Sequence, residues 1–245
     1  MRTLYGLSYS PWTEKARWAL DHHRIAHRYV EHLPLVGTPW LRLKSGKTSG
    51  RVTVPFLEGE GEAISGSIDI ARHVDALGRG TSLFPEGRSG PIVDLDTDAN
   101  EILDVARALV IERTKADPDV QREAVPGFVP GFLRGASMPL TRVTAGLLAR
   151  RYDAPKDAEA KVESVVLPRL AKWQDQLGDA EYFLGSFSYA DVTTAVTLQC
   201  VEPVADAHMK LGPATRRAWT MPKARERFPG LLAWRDRMYA RHRRG

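Results

Sequence analysis

Within residues 8–69, three short stretches carry side chains and turns suited to holding an anionic, peptide-like molecule. The first is Ser8-Tyr9-Ser10-Pro11-Trp12-Thr13-Glu14-Lys15. Ser10 followed by Pro11 reads as an N-cap and first helical residue. Unpaired N–H groups and the positive end of the helix dipole at that point favour an anion, a thiolate included. A hydrogen bond from the Ser10 hydroxyl to such a sulfur would lower its pKa from about 8.5, making much of it thiolate at neutral pH. Ser10 acting only as a helix cap is the alternative.

The second stretch is Gly50-Arg51-Val52-Thr53-Val54-Pro55-Phe56-Leu57. A proline near the start of a strand withholds a ladder donor, and X-Pro bonds are the ones that can be cis. A cis Val54-Pro55 bond would turn the Val54 N–H and C=O outward, free to pair with a peptide in strand fashion. An edge strand that merely tolerates a proline is the competing reading. The third stretch is Ile64-Ser65-Gly66-Ser67-Ile68-Asp69. Ser67 reads as an N-cap whose helix terminus could take a carboxylate, and Asp69 could take the ammonium of the same α-amino-acid end. Capping alone explains Ser67 equally well.

These stretches need a scaffold of strands and helices. Thr3–Leu7 and His27–Glu31 read as strands, with a helix over Pro11–Asp21 between them. Val52–Leu57 and Glu62–Ile64 read as a hairpin turning at Glu58-Gly59-Glu60-Gly61, followed by a helix over Ser67–Leu77 that ends at Gly78. The order is β-α-β-(loop)-β-β-α. Residues 81–91, TSLFPEGRSGP, read as a linker. Beyond it the strand signals vanish, and helices are expected over Leu95–Thr114, Leu140–Tyr152, Ala158–Leu177, Tyr189–Val204 and from Leu231, with a proline-rich break over Val125–Pro139.

With 245 residues, 43% of them hydrophobic and 27% charged, the chain has ordinary globular composition. No window approaches the roughly 20 apolar residues of a membrane span. The start lacks a secretory pattern and Cys200 is the lone cysteine, which together point to the cytoplasm and exclude an internal disulfide. The net charge of +5 owes much to the run Arg235–Arg244, read as a solvated helix end rather than a nucleic-acid surface. His22, His23, His27 and His32 lack metal-ligand spacing and read as a solvated helix end followed by a strand.

Taken together, these stretches resemble a known family. Ser-Pro-Trp-Thr-Glu-Lys-Ala-Arg-Trp-Ala-Leu, beginning at Ser10, resembles the first-helix motif of glutathione transferases. Thr53-Val54-Pro55-Phe56-Leu57 resembles the cis-proline motif of thioredoxin-fold proteins. Phe187-Ser188-Tyr189-Ala190-Asp191-Val192-Thr193 resembles the family's capping box and hydrophobic staple, and Phe228-Pro229-Gly230-Leu231 its closing helix.

The resemblance implies an α/β thioredoxin-like N-terminal domain (residues 1–80), a linker (81–91) and an all-α C-terminal domain (92–245). It implies glutathione as co-substrate with no further cofactor or metal, a small hydrophobic electrophile held in a cleft between the domains, and a homodimer. No nucleic-acid or membrane partner is expected. Ser10 is the candidate catalytic residue, with Tyr5 or Tyr9 as the alternative hydroxyl. Val54, Pro55, Ser67, Asp69, Trp12 and Arg51 are the candidate substrate-binding residues. Gly66 stands where the family usually has Glu or Gln, with Asp69 as a substitute. Two other functions fit the same fold. One is a non-catalytic binding or scaffolding protein. The other is a thiol-disulfide oxidoreductase, which Ser10 and Thr13 disfavour because they stand where glutaredoxins place sulfur.

Overall fold

A computed structural model describes residues 1–33, 37–46, 48–125, 141–150 and 157–243. The sheet is built around β1 (Arg2–Gly6), whose Leu4 and Tyr5 are buried. β2 (His27–Glu31) lies parallel to β1 on one side, and β3 (Phe56–Gly59) antiparallel on the other. β4 (Glu62–Ser65) closes the hairpin, giving the order β2-β1-β3-β4. The parallel pair is joined by α1 (Pro11–His22), which buries Ala16, Trp18, Ala19 and Leu20. α3 (Ser67–Leu77) buries Ile70, Ala71 and Val74 and lies against α1.

Several local expectations need correction. β3 begins at Phe56, because Pro55 has no N–H for a ladder. Val52 packs instead with Tyr5, Leu41 and Phe56. The stretch read as a loop holds α2 (Thr38–Ser45), which ends at Gly46 with φ +64°. It is only two turns long and buries only Leu41, so its periodic signal is weak. The N-cap of α3 is Gly66 rather than Ser67. The chain leaves β4 through φ +100°, a conformation open to glycine, so Ser67 becomes the first helical residue.

Past residue 88 all described elements are helical. α4 (Ser89–Ala116) starts earlier than expected, because Pro91 fits a first turn where its missing N–H costs no hydrogen bond. α5 (Pro118–Glu123) follows, and residues 141–150 form α6. α7 (Ala158–Lys161), a π-helical turn at Val162–Val166 and α8 (Leu167–Leu177) run on as the one segment the periodicity implied. α9 (Tyr189–Leu198) stops short of Val204, ahead of Pro203. α10 (Pro213–Trp219) and α11 (Pro222–Arg227) are short helices without a clear period, and α12 (Pro229–His242) closes the chain. The break over Val125–Pro139 lies, after Val125, outside the described residues, as do Leu140 and Tyr152.

The chain forms two compact units. One comprises residues 1–96, 179–196 and 234–245; the other comprises residues 97–178 and 197–233. In the first, the fully buried Trp18 meets Tyr239 edge-on at 4.8 Å, and Phe183 meets Trp234 at 5.2 Å. The C-terminal basic run, read from the sequence as a solvated helix end, is partly buried. Arg243 is buried, its Nε donating to Glu14 at 2.6 Å and its Nη1 to Asp21 at 2.7 Å. His23 is also buried rather than solvated, with Nε2 3.0 Å from Asp75, and burial holds its pKa below the usual value.

In the second unit, Arg113 donates to the carbonyls of Ala218 and Thr220 at 2.8 and 2.6 Å. Glu123 accepts the first N–H groups of α10, from Ala214 at 3.0 Å and Thr215 at 2.7 Å. Cys200 is buried.

Candidate functional site

The register of the sheet brings the three stretches to one end of it. Tyr5 pairs with Phe56, and Phe56 pairs with Ser65. The residues that follow β1, the Val54-Pro55 pair that precedes β3 and the Gly66-Ser67 pair that follows β4 therefore leave the sheet at the same edge. A hydrogen bond from Gly66 N–H to the Pro55 carbonyl, 3.1 Å, ties the last two together. Sequence separation hides this convergence; antiparallel pairing creates it.

The turn that carries Ser10 is held from several sides. Ser10 N–H donates to the Leu7 carbonyl at 2.9 Å, and Leu7 N–H donates to Thr13 Oγ1 at 3.1 Å. Thr13 is fully buried, and a Cβ at Gly6 would stand only 2.3 Å from its methyl group. Gly6 is thus fixed by close packing, and Thr13 by its bond to Leu7. The Glu31 carboxylate accepts the Ser8 N–H at 3.1 and 3.2 Å and the Tyr29 hydroxyl at 2.7 Å. Nothing in the local sequence marked Glu31; only its place beside Gly6 in the β1–β2 register brings it to the turn.

Ser10 occupies the N-cap of α1, with φ −82° and ψ 126°, yet its side chain makes no capping hydrogen bond. The hydroxyl therefore does not serve the role that the competing reading gave it. The Val54-Pro55 peptide is cis. Among the described residues, the N–H and C=O of Val54 make no hydrogen bond.

Ser67 is buried in the first turn of α3. Asp69, two residues on, places Oδ2 3.3 Å from where a Cβ of Gly66 would stand. The carboxylate thus borders the space that a side chain at position 66 would enter. Trp12 is half-buried in the first turn of α1, and Arg51 is exposed in the loop leading to Val52.

Tyr5 packs with Val52 and Phe56, and Val54 lies against the same cluster. The Tyr5 hydroxyl donates to Glu58 Oε2 at 3.0 Å, and burial, followed by that bond, raises its pKa. Glu58 also takes Lys44 Nζ at 2.9 Å. Tyr9 is 42% exposed.

Behind the site runs a buried polar network. Lys15 Nζ, on a fully buried side chain of α1, lies 3.0 Å from Asp96 Oδ1 in α4. Thr193 of α9 donates to the same oxygen at 2.6 Å. Four residues earlier, the buried Tyr189 hydroxyl lies within hydrogen-bonding reach of Ser67 and feels the charges of Asp96, Asp69 and Arg72. Also in α9, the Asp191 carboxylate accepts the N–H groups of Phe183 and Ser188, each at 2.9 Å, and the Ser188 hydroxyl at 3.1 Å. The reach-back half of the expected capping box is present, with the Ser188 hydroxyl spent on Asp191 itself. Burial pushes the Asp191 pKa up to about 6.

Residues 4–82 match the family of glutathione S-transferase N-terminal domains. Over these residues the chain is similar to the N-terminal domain of glutathione transferases. Solved structures extend the likeness in fold to nearly the whole chain. A glutathione S-transferase from Methylobacillus flagellatus KT, solved with glutathione bound, is 15% identical with a TM-score of 0.55, over 98% of this chain and 96% of that one. A glutathione S-transferase from Methylobacterium radiotolerans JCM 2831, in complex with glutathione sulfonate, is 17% identical with a TM-score of 0.57, over 98% and 91%. A beta-etherase from Sphingobium sp. strain SYK-6 is 16% identical with a TM-score of 0.62, over 98% and 95%. At these identities the likeness is one of fold. No curated protein matches the chain by sequence. Among the described residues, no helix is long and apolar enough to cross a membrane, and no group of three or more His, Cys, Asp or Glu could hold a metal ion.

Proposed function

We propose that the chain is a glutathione transferase that binds glutathione along the Val54–Ser67 edge and activates its thiol for attack on a small hydrophobic electrophile. The observation that carries this reading is the convergence at one sheet edge of three groups. They are a serine at a helix N-terminus whose side chain does not cap it, a backbone pair with open hydrogen-bonding capacity, and a buried serine opening a second helix. In this reading the Val54 N–H and C=O pair with the cysteinyl backbone in strand fashion. Ser67 and the N-terminus of α3 take the γ-glutamyl carboxylate, and Asp69 takes the γ-glutamyl ammonium. Trp12 and Arg51 border the bound peptide.

Ser10 O–H donates to the sulfur. A hydrogen bond that strengthens as charge builds on sulfur favours the thiolate over the thiol. The thiolate lone pair then forms the S–C bond, and a leaving group departs with its bonding pair, or the electrons of an activated double bond shift and take a proton from water. The protein contributes thiolate stabilisation and positioning. By family resemblance, the working form is a cytoplasmic homodimer.

Calorimetric titration with glutathione tests the reading. Wild-type protein should bind at or below millimolar concentration, and Ser67→Ala should weaken binding about tenfold to a hundredfold, the worth of a hydrogen bond to a charged group. Absence of binding by the wild type at several millimolar would remove the assignment.

A further inference from the structure

Tyr189 opens α9 with its side chain fully buried. Its N–H donates to the Leu83 carbonyl at 2.8 Å, and its ring stacks on Phe84 at 5.1 Å with an interplanar angle of 21°. The ring is thus fixed from two directions. Its hydroxyl nevertheless has no hydrogen-bond partner of good geometry among the described residues. Buried polar groups are nearly always paired, and an unpaired one is destabilising. A phenylalanine would fill the same space without that penalty, so packing alone does not account for the oxygen.

Ser67 is the side chain within hydrogen-bonding reach of the hydroxyl, while Asp96, Asp69 and Arg72 act on it through their charge. Asp96 Oδ1 already takes Lys15 and Thr193. Asp69 lies toward Gly66. The Arg72 guanidinium, which can only donate, sits over the Phe84 ring at 5.6 Å. Ser67 is different in kind. A hydroxyl can accept a hydrogen bond on one lone pair while donating its own proton elsewhere.

We propose that Tyr189 is the positioning residue for Ser67, its O–H donating to Ser67 Oγ when the Ser67 O–H turns outward to a ligand carboxylate. This rests on the reading that Ser67 holds the γ-glutamyl carboxylate. Each oxygen keeps its own proton, and the two bonds polarise one another in a low-dielectric setting, so the inner bond strengthens the outer one. Burial holds the Tyr189 phenol well above its ordinary pKa, which keeps it a donor across the working range of pH. Without a ligand, the Ser67 proton is free to turn inward and the phenol is left poorly paired. Binding therefore completes a bond that folding left open.

The test is Tyr189→Phe, measured by glutathione calorimetry and by urea unfolding of the ligand-free protein. The dissociation constant for glutathione should rise about threefold to tenfold, the worth of one neutral hydrogen bond. The unfolding midpoint should stay the same or increase, because the orphan hydroxyl is gone. In a Ser67→Ala background, the second substitution should weaken binding no further.

Wild-type affinity in Tyr189→Phe, alongside weakened binding in Ser67→Ala, would overturn the role of Tyr189 and leave the carboxylate site standing. An equal loss in both backgrounds would overturn it too, since Tyr189 would then act independently of Ser67. A lowered unfolding midpoint with unchanged affinity would assign Tyr189 to packing alone. Absence of glutathione binding by the wild type would remove both the site and this inference.

Discussion

Removing the Lys15 ammonium should expose how much the buried network behind the site depends on charge balance. The Lys15 side chain is 0% exposed and that of Asp96 is 7% exposed, with nitrogen and oxygen 3.0 Å apart. In Lys15→Met the aliphatic stem is largely replaced, but the carboxylate stays buried without its counter-charge. Thr193, which donates to it at 2.6 Å, supplies a dipole where a full charge stood. Breaking a buried pair from one side costs about 3 to 5 kcal/mol, a large part of the roughly 5 to 15 kcal/mol that separates folded from unfolded domains.

Lys15→Met with Asp96→Asn removes the charge while keeping an oxygen for Thr193. The double variant should regain at least about 2 kcal/mol over Lys15→Met. Urea unfolding followed by tryptophan fluorescence measures this, provided the slope with denaturant is equal across variants. A loss below about 1 kcal/mol for Lys15→Met, the range of an exposed ion pair, would refute the reasoning. So would a double variant no more stable than Lys15→Met.

Two further outcomes follow from the same geometry. Ser10→Ala should raise the thiol pKa of bound glutathione and cut turnover about tenfold to a hundredfold with binding nearly intact. Because the side chain makes no capping bond, the melting temperature should barely move; a clear drop in melting temperature with a normal thiol pKa would return Ser10 to a capping role. Asp191, with its pKa pushed up to about 6 against an ordinary value near 3.9, binds its proton more tightly in the folded chain. Its favourable contribution is present below about pH 4 and is lost as pH rises through about 6. At 1.36 kcal/mol per unit this is about 3 kcal/mol. The stability of wild type relative to Asp191→Asn, from urea unfolding at pH 4 and 7, should therefore decline with pH; an advantage that grew instead would contradict the burial argument.

Glycine, proline and short polar side chains act locally, and the sequence read them well. Pro11 after Ser10 placed the start of α1, Gly78 placed the end of α3, and strong apolar periodicity located the segment 158–177. The candidate stretches around Ser10, Val54-Pro55 and Ser67 were legible because each combines a turn signal with a polar group at a helix or strand terminus. Two-turn helices such as α2, α10 and α11 escaped, since so few residues carry too little period to be read.

What the tertiary structure decided is pairing between residues far apart in the chain. Antiparallel register, not spacing, carries Val54-Pro55 and Gly66-Ser67 to the edge where Ser10 stands. The Tyr5 hydroxyl met Glu58 only because β3 pairs with β1. Glu31 reached the Ser8 turn through β1–β2 pairing, 23 residues away. Lys15 met Asp96 across 81 residues, and Arg243 met Glu14 across 229. A charged side chain looks solvated in a sequence because its partner is invisible there. Burial becomes tolerable only where folding delivers an opposite charge and enough hydrogen bonds, and that delivery is a property of three-dimensional packing alone.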